Sequence, residues 1–363
     1  MKEKLRSYLN NLMLIPGVSG QEQRVVKDLY EKFLPLADSV EVDAFGNLIA
    51  VKKGKKPGPS LMITAHSDEI GAIVKSVEKS GFIRFEKIGG TVDSLLLGRQ
   101  IGINGHFGVV GVKAGHLMSE KEKSEVIKHR DLYIDIGANS DAEVAAMGIK
   151  IGDPIYQWPY FHSFTNTDRV CGKALDDRIG CAAMLVLFEL LQTTDFAGTL
   201  YGVITVQEEV GLRGATMVSN RLMPDFAIAL DTMPAGDTPD VNYIKELPVA
   251  IGKGPAIQVL SGSGARGMLL NPIMKHILIQ CCVKAGVPYQ QTVFIGGNTD
   301  AAAIHLAGHG IVTGALTIPR RYSHSPIEVM DLNDAVGTVA ILLQIVKDIH
   351  KYQHLQFVDT IDL

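Results

Sequence analysis

Apolar positions along the chain fall into two textures. After Pro16-Gly17, Val25, Val26, Leu29, Tyr30 and Phe33 keep one helical face, with Ser19 and Glu22 ahead of it at capping-box spacing. Val40 to Val51 reads as a β-hairpin turning at Phe45-Gly46-Asn47, and Leu61 to Ala65 is a buried-strand run ending at His66. From about Asp68 to His162 the short β-like runs Phe82–Phe85, Gln100–Ile103, Val109–Val112 and Tyr133–Ile136 alternate with glycines. Within that stretch Asp141 to Met147 has a helical period, and the charged segment Met118 to Asp131 reads as a solvated excursion. Beyond His162 an α/β pattern returns. Ile179 to Leu191 is apolar nearly all round, which predicts a buried helix. Leu200–Val206, Phe226–Leu230, Ala256–Leu260, Thr292–Phe294 and Ile311–Ile318 read as strands, with helices between several of them. The first α/β stretch is too short to fold alone and resumes after the β-rich one. The pattern therefore predicts one α/β domain, residues 1–67 and 162–363, interrupted by a β-rich insertion, residues 68–161.

Composition narrows the class. With 363 residues, 46% of them hydrophobic, the chain can bury a sizeable core. Its 35 basic and 39 acidic residues are too balanced for a nucleic-acid partner held by bulk electrostatics, and none is expected. No apolar run reaches the ~18 residues of a membrane span, and Met1-Lys2-Glu3-Lys4-Leu5-Arg6 lacks the apolar stretch of a signal peptide. Cys171, Cys181, Cys281 and Cys282 show neither zinc-ligand spacing nor a disulfide framework, so reduced thiols and a cytoplasmic location are the expectation.

The candidate chemistry lies where apolar strands end, the place where open α/β sheets bind ligands. Leu61–Ala65 ends in His66, with Asp68 two residues on. Leu200–Val206 ends in Gln207-Glu208-Glu209, and Phe226–Leu230 ends in Asp231. Asp176-Asp177 follows the strand-like Arg169–Ala174, and Ile311–Ile318 runs into Pro319-Arg320-Arg321-Tyr322-Ser323-His324. Any one of these acids alone reads as a helix cap or loop hydrogen-bonder. Converging at one edge, they would repel one another unless cations neutralise them. Imidazole plus carboxylate without thiolate suits zinc, cobalt or manganese, and the candidates outnumber the ligands of one tetrahedral ion, which fits a two-metal site. Neighbouring side chains on a regular strand point to opposite faces, so Glu208 and Glu209 reach one site only where the strand ends irregularly. One could then bind metal while the other takes a proton.

Ala65-His66-Ser67-Asp68-Glu69-Ile70-Gly71, Gly172-Lys173-Ala174-Leu175-Asp176-Asp177-Arg178-Ile179-Gly180 and Thr205-Val206-Gln207-Glu208-Glu209-Val210-Gly211 together resemble the tetrahedral aminopeptidase family. This is the glutamyl aminopeptidase and endoglucanase-like group of cocatalytic metallopeptidases. Ala229-Leu230-Asp231 and Arg321-Tyr322-Ser323-His324-Ser325-Pro326 match in the same order. The resemblance implies an α/β/α sandwich with a mixed, mostly parallel sheet, interrupted by a small barrel-like dimerisation domain. It implies that His66, Asp176 and Asp231 hold one divalent ion and that Glu209 and His324 hold a second, with Asp176 bridging. Asp176 is chosen over Asp177 because the wider clan bridges with the first aspartate, often before a cis peptide. Glu208 would be the general base, a metal-bound hydroxide the nucleophile, and Asp68 would orient His66. Ser67 replaces the Met often found there, its side chain expected to point away from the metal. Gly297 and Thr299, in Gly296-Gly297-Asn298-Thr299-Asp300, resemble a family loop near the substrate, and a tight strand-to-helix turn explains them equally. Arg320 and Arg321 could meet a substrate carboxylate or pair with nearby acids.

The leading expectation is an aminopeptidase acting on short peptides with two ions, zinc or cobalt before manganese, self-associating into a dimer and a tetrahedral dodecamer. The nearest alternative is a deacylase or other amidohydrolase on the same metal pair. Further off stand a glycoside hydrolase, with two carboxyls ~5–9.5 Å apart across a sugar, and a non-catalytic binding protein. The preferred N-terminal residue depends on pocket shape, which these motifs do not encode.

Overall fold

The structure, a computed structural model, describes residues 1–352. Four parallel strands make the centre of an eleven-stranded mixed sheet: Ala197–Thr205, Lys56–His66, Phe226–Pro234 and Val312–Arg321, in that order. Antiparallel strands extend both flanks. Leu48–Lys53 and Ser39–Val42 lie beyond Ala197–Thr205, and Glu328–Asp331, Arg169–Gly172 and Phe161–Ser163 lie beyond Val312–Arg321. Ala256–Ser261 branches off Val312–Arg321 and carries Gln290–Phe294 in parallel.

The central strands read as continuous apolar runs because helices cover both faces. Leu61, Ile63, Ile204 and Ile228 point into a core built with the helices Lys2–Met13, Gln23–Phe33, Leu175–Leu190, Pro272–Ala285 and Leu332–Asp348. Met62, Val203 and Ala227, one residue out of phase, meet Ala215 and Val218 of the helix Arg213–Leu222 and Ile304 of the short helix Ala301–Ile304. Leu175–Leu190, apolar nearly all round from Ile179 onward, is buried along almost its whole length. This is the α/β/α sandwich expected.

The strands Gly71–Val77, Ile83–Ile88, Ile134–Asp135, His106–Val110, Gln100–Ile103 and Pro154–Gln157 close into an antiparallel barrel. It has its own core, including Val74, Phe85, Ile103, Val110 and Ile155. Among the described residues no helix is long and apolar enough to cross a membrane.

Three local expectations change. Phe226–Pro234 runs past Leu230, because Asp231 pairs with Thr317 and the ladder continues to Arg320, so Asp231 lies inside a strand. The helix Gln23–Phe33 begins without a side-chain cap; the apolar face of Val25, Val26, Leu29 and Phe33 holds it instead, and Ser19 and Glu22 bond elsewhere. Glu328–Asp331 and Leu332–Asp348 add a strand and a helix to those read from the apolar pattern.

Candidate metal centre

The carboxyl ends of the central strands converge on Asp176. His66, last residue of its strand, brings Nε2 to 3.1 Å from Asp176 Oδ1 and 3.8 Å from Asp231 Oδ1. His324, in the loop after Val312–Arg321, brings Nε2 to 3.3 Å from Asp176 Oδ2 and 3.4 Å from Glu209 Oε1. Two groups of ligand-type atoms result, His66–Asp176–Asp231 and Asp176–Glu209–His324, each with its atoms within 4.8 Å of one another. A third, His66–Glu208–Glu209, meets the same limit, with Glu208 Oε2 3.9 Å from His66 Nε2. The strand carrying the two glutamates ends at Thr205, and Gln207 turns left-handed, with φ +56°. That irregularity breaks the alternation and brings Glu208 and Glu209 to one site.

Both histidines are oriented from behind. His66 Nδ1 lies 3.2 Å from the Asp68 carbonyl and 3.4 Å from its Oδ1; His324 Nδ1 lies 2.9 Å from the Gly90 carbonyl. Such partners leave each Nε2 facing the centre. The Asp176–Asp177 peptide is cis. Asp177 points away from the histidine rings, accepting the N–H of His66 at 3.3 Å and of Gly180 at 3.1 Å. Ser67 also points away, donating to the Thr205 carbonyl at 2.9 Å. Beneath the centre, Lys173 Nζ meets both oxygens of Glu69 at 2.5 and 2.7 Å, with all three charges of the Lys173–Glu69–Arg178 cluster buried.

Electrostatics set the centre apart. Burial, reinforced by the Asp176 charge, pushes Asp231 well above the usual carboxylate range and Glu209 up to about 7. Burial also pushes Glu208 well up, against the pull of His66. Asp176 goes the other way: burial opposes ionisation, but the Arg320 guanidinium and the two histidines hold it well below the usual range. Perturbed acids in a cleft mark candidate functional sites.

Sequence reasoning missed one member of this cluster, Glu328. Glu328 accepts the N–H of Asp176 at 3.3 Å and of His324 at 3.0 Å, and it pairs with Arg320. Its signal was a lone acid in an apolar strand. Arg320 pairs with nearby acids, one of the two roles read for it: it bonds Asp176 and Glu328, and also Thr232 Oγ1. Arg321 is instead held bidentately by Asp237 at 3.0 and 2.7 Å. Thr299 is buried and its Oγ1 accepts the Ala301 N–H at 3.3 Å, while the Gly297 carbonyl accepts the N–H of the distant Gly262 at 3.1 Å; the turn itself closes with Ala302 N–H on the Thr299 carbonyl at 2.9 Å. A small pocket lies between the centre and the barrel; Asp176, Glu209, Glu328 and Arg99 line it together with Phe85, Ile101 and Ile155. Gly297, Thr299 and Arg321 lie outside its lining, as do His66, Glu208, Asp231 and His324.

Comparison with known proteins agrees with this geometry. The family model for M42 glutamyl aminopeptidases matches residues 46–341. A lysyl aminopeptidase of Pyrococcus furiosus is 33% identical over 92% of this chain and 94% of its own. Among solved structures, an aminopeptidase from the archaeon Desulfurococcus kamchatkensis has a TM-score of 0.92 at 33% identity, covering 98% of this chain and 99% of that one. The Pyrococcus horikoshii TET1 peptidase, which can assemble into a tetrahedron or a large octahedral shell, has a TM-score of 0.83 at 32% identity, covering 94% and 99%. The chain belongs to the M42 glutamyl aminopeptidase family, and it is a peptide hydrolase.

Proposed function

We propose that this aminopeptidase works with two divalent cations, zinc or cobalt before manganese, and removes N-terminal residues from short peptides. The observation that carries the reading is the split of one carboxylate between two imidazoles: Asp176 Oδ1 faces His66 Nε2 at 3.1 Å and Asp176 Oδ2 faces His324 Nε2 at 3.3 Å. The donor set fits the cations. Imidazole nitrogens and carboxylates are the borderline-hard ligands of these ions. The surrounding acids are too buried and too close together to ionise comfortably without added positive charge.

His66, Asp176 and Asp231 would hold one ion, and Asp176, Glu209 and His324 the other. Bound there, the cations supply an activated water and a Lewis acid for the scissile carbonyl. Glu208 takes the proton of the attacking water and passes it to the leaving amine. Asp68 keeps His66 in the tautomer that presents Nε2.

Residues 68–161 serve self-association, through a dimer to a tetrahedral dodecamer. Exposed Phe107, Val109, Val112 and Leu117 on the insertion support this, as does the assembly of the Pyrococcus horikoshii relative. The four free cysteines support a reducing, cytoplasmic setting.

The test is a panel of aminoacyl chromogenic substrates assayed after chelation and after return of zinc, cobalt or manganese, beside N-acetylated peptides. Activity should vanish on chelation, return with cation and be lost on acetylated peptides. Equal turnover of acetylated and free peptides would favour a deacylase or endopeptidase. Light scattering that finds an active monomer would contradict the assembly.

A further inference from the structure

Ser19 and Glu22 have the spacing of a helix cap but bond to the catalytic edge. Ser19 Oγ donates to Asp68 Oδ2 at 2.6 Å. Glu22, buried ahead of the helix Gln23–Phe33, accepts the N–H of Gly20 at 2.8 Å and of Gln207 at 3.0 Å, both on Oε1. The next two N–H groups of that turn, Glu208 and Glu209, donate to Asp68 Oδ1 and Oδ2 at 3.0 and 3.2 Å. Three successive amides are therefore held by two buried carboxylates. The first of the three belongs to Gln207, at φ +56°. A left-handed residue with a Cβ is strained and persists only where its surroundings hold it. Glu22 lies outside the stretch that matches the family model, residues 46–341.

We propose that Glu22 is a positioning residue for peptide hydrolysis: by accepting the Gln207 N–H it holds the left-handed turn that aims Glu208 and Glu209 at one centre. The proposal rests on the reading of Glu208 as base and Glu209 as ligand. Glu22 acts through the backbone, so its loss moves the base and leaves the substrate's contacts in place. The effect belongs on kcat, not on KM. Displacing a catalytic group by about 1 Å can cost about 100-fold. Because both bonds end on Oε1, the amide oxygen of a glutamine can accept both.

The test compares Glu22→Ala, Glu22→Asp, Glu22→Gln and Glu208→Gln with wild type, each loaded with the activating cation, reading kcat, KM, metal per subunit and the unfolding midpoint. Glu22→Ala and Glu22→Asp should lower kcat by about 10- to 100-fold, with KM within about twofold and both ions per subunit retained. Glu22→Gln should bring kcat back to within about threefold of wild type, as expected of an acceptor rather than a charge. Glu22→Asp, shorter by one methylene, serves if the alanine variant does not fold. The proposal is overturned if Ala and Asp turn over like wild type, if Gln fails as they do, or if kcat falls only in step with metal content or folded fraction. Glu208→Gln separates the two layers. Wild-type turnover there removes the reading of the base and this proposal with it. An inactive Glu208→Gln beside a fully active Glu22→Ala removes the proposal alone.

Discussion

Arg320 donates to Asp176, the residue whose two oxygens face His66 and His324. The same guanidinium reaches Glu328 and, at 2.5 Å, Thr232 Oγ1. It is a fixed positive charge beside Asp176, Glu328, Glu209 and Asp231. Replacing it by leucine leaves buried carboxylates unpaired, a change that costs about 3–5 kcal/mol. The metal-free Arg320→Leu protein should therefore be less stable, and added divalent cation should restore more stability to it than to wild type. Denaturant titrations with and without cation, at matched protein concentration, check this. An equal loss under both conditions would contradict it.

Glu208→Gln keeps the shape of the side chain and removes the proton acceptor. General acid–base catalysis contributes ~10²–10⁴-fold, and a fall in kcat at least that large is expected with metal content unchanged. Single-turnover kinetics beside elemental analysis measure both quantities.

Gly180 stands where Asp177 needs room. A Cβ there would lie 2.2 and 2.6 Å from Asp177 Oδ2 and Oδ1, the atoms that hold the N–H groups of His66 and Gly180. Gly180→Ala should cost about 1–3 kcal/mol, as overpacking does, and weaken cation binding by shifting His66. Gly115→Ala, whose Cβ meets nothing within 4 Å, is the control and should be neutral. Thermal unfolding and cation titration of the two variants separate the effects.

Glu22 also gives a pH signature. Burial, then the charge of Asp68, pushes its carboxyl up from 4.5 to about 7. The folded state thus binds this proton more tightly than the unfolded state. The stability it contributes is full below about pH 4.5 and is lost as pH rises through about 7. Wild type should lose stability relative to Glu22→Gln between pH 5 and about 7, at up to about 1.4 kcal/mol per unit. A difference in unfolding free energy that stays flat over that range would contradict the assignment.

Much of this site was legible because its residues sit at chain positions with a structural meaning. His66 and the Glu208-Glu209 pair close apolar runs, and acids crowded at one sheet edge repel one another unless positive charge meets them. The need for an irregular strand end at Glu208-Glu209 followed from alternation alone, and Gln207 supplies it. Asp231 was found although its strand does not end there; the ladder to Thr317 and beyond is a tertiary fact that apolar runs do not carry. Glu328 was invisible because one acid in a short strand has no pattern, and its partners Asp176, His324 and Arg320 are distant in sequence or undirected. Ser19 and Glu22 were misread because one spacing serves a helix cap and a support for Asp68 and Gln207 equally well. The choice between Asp176 and Asp177 came from resemblance, since neighbouring aspartates differ only in where the backbone turns them.

The central claim is a pair of cation sites sharing Asp176. It is tested most directly by metal content per subunit, measured by elemental analysis on wild type, Asp231→Asn and Glu209→Gln after saturation and removal of loosely bound ions. Two ions are expected in wild type. Each variant should keep about one, with excess cation partly restoring the second, because each substitution replaces an anionic ligand at one site only. One ion in wild type, or two retained in both variants, would contradict the shared-carboxylate site.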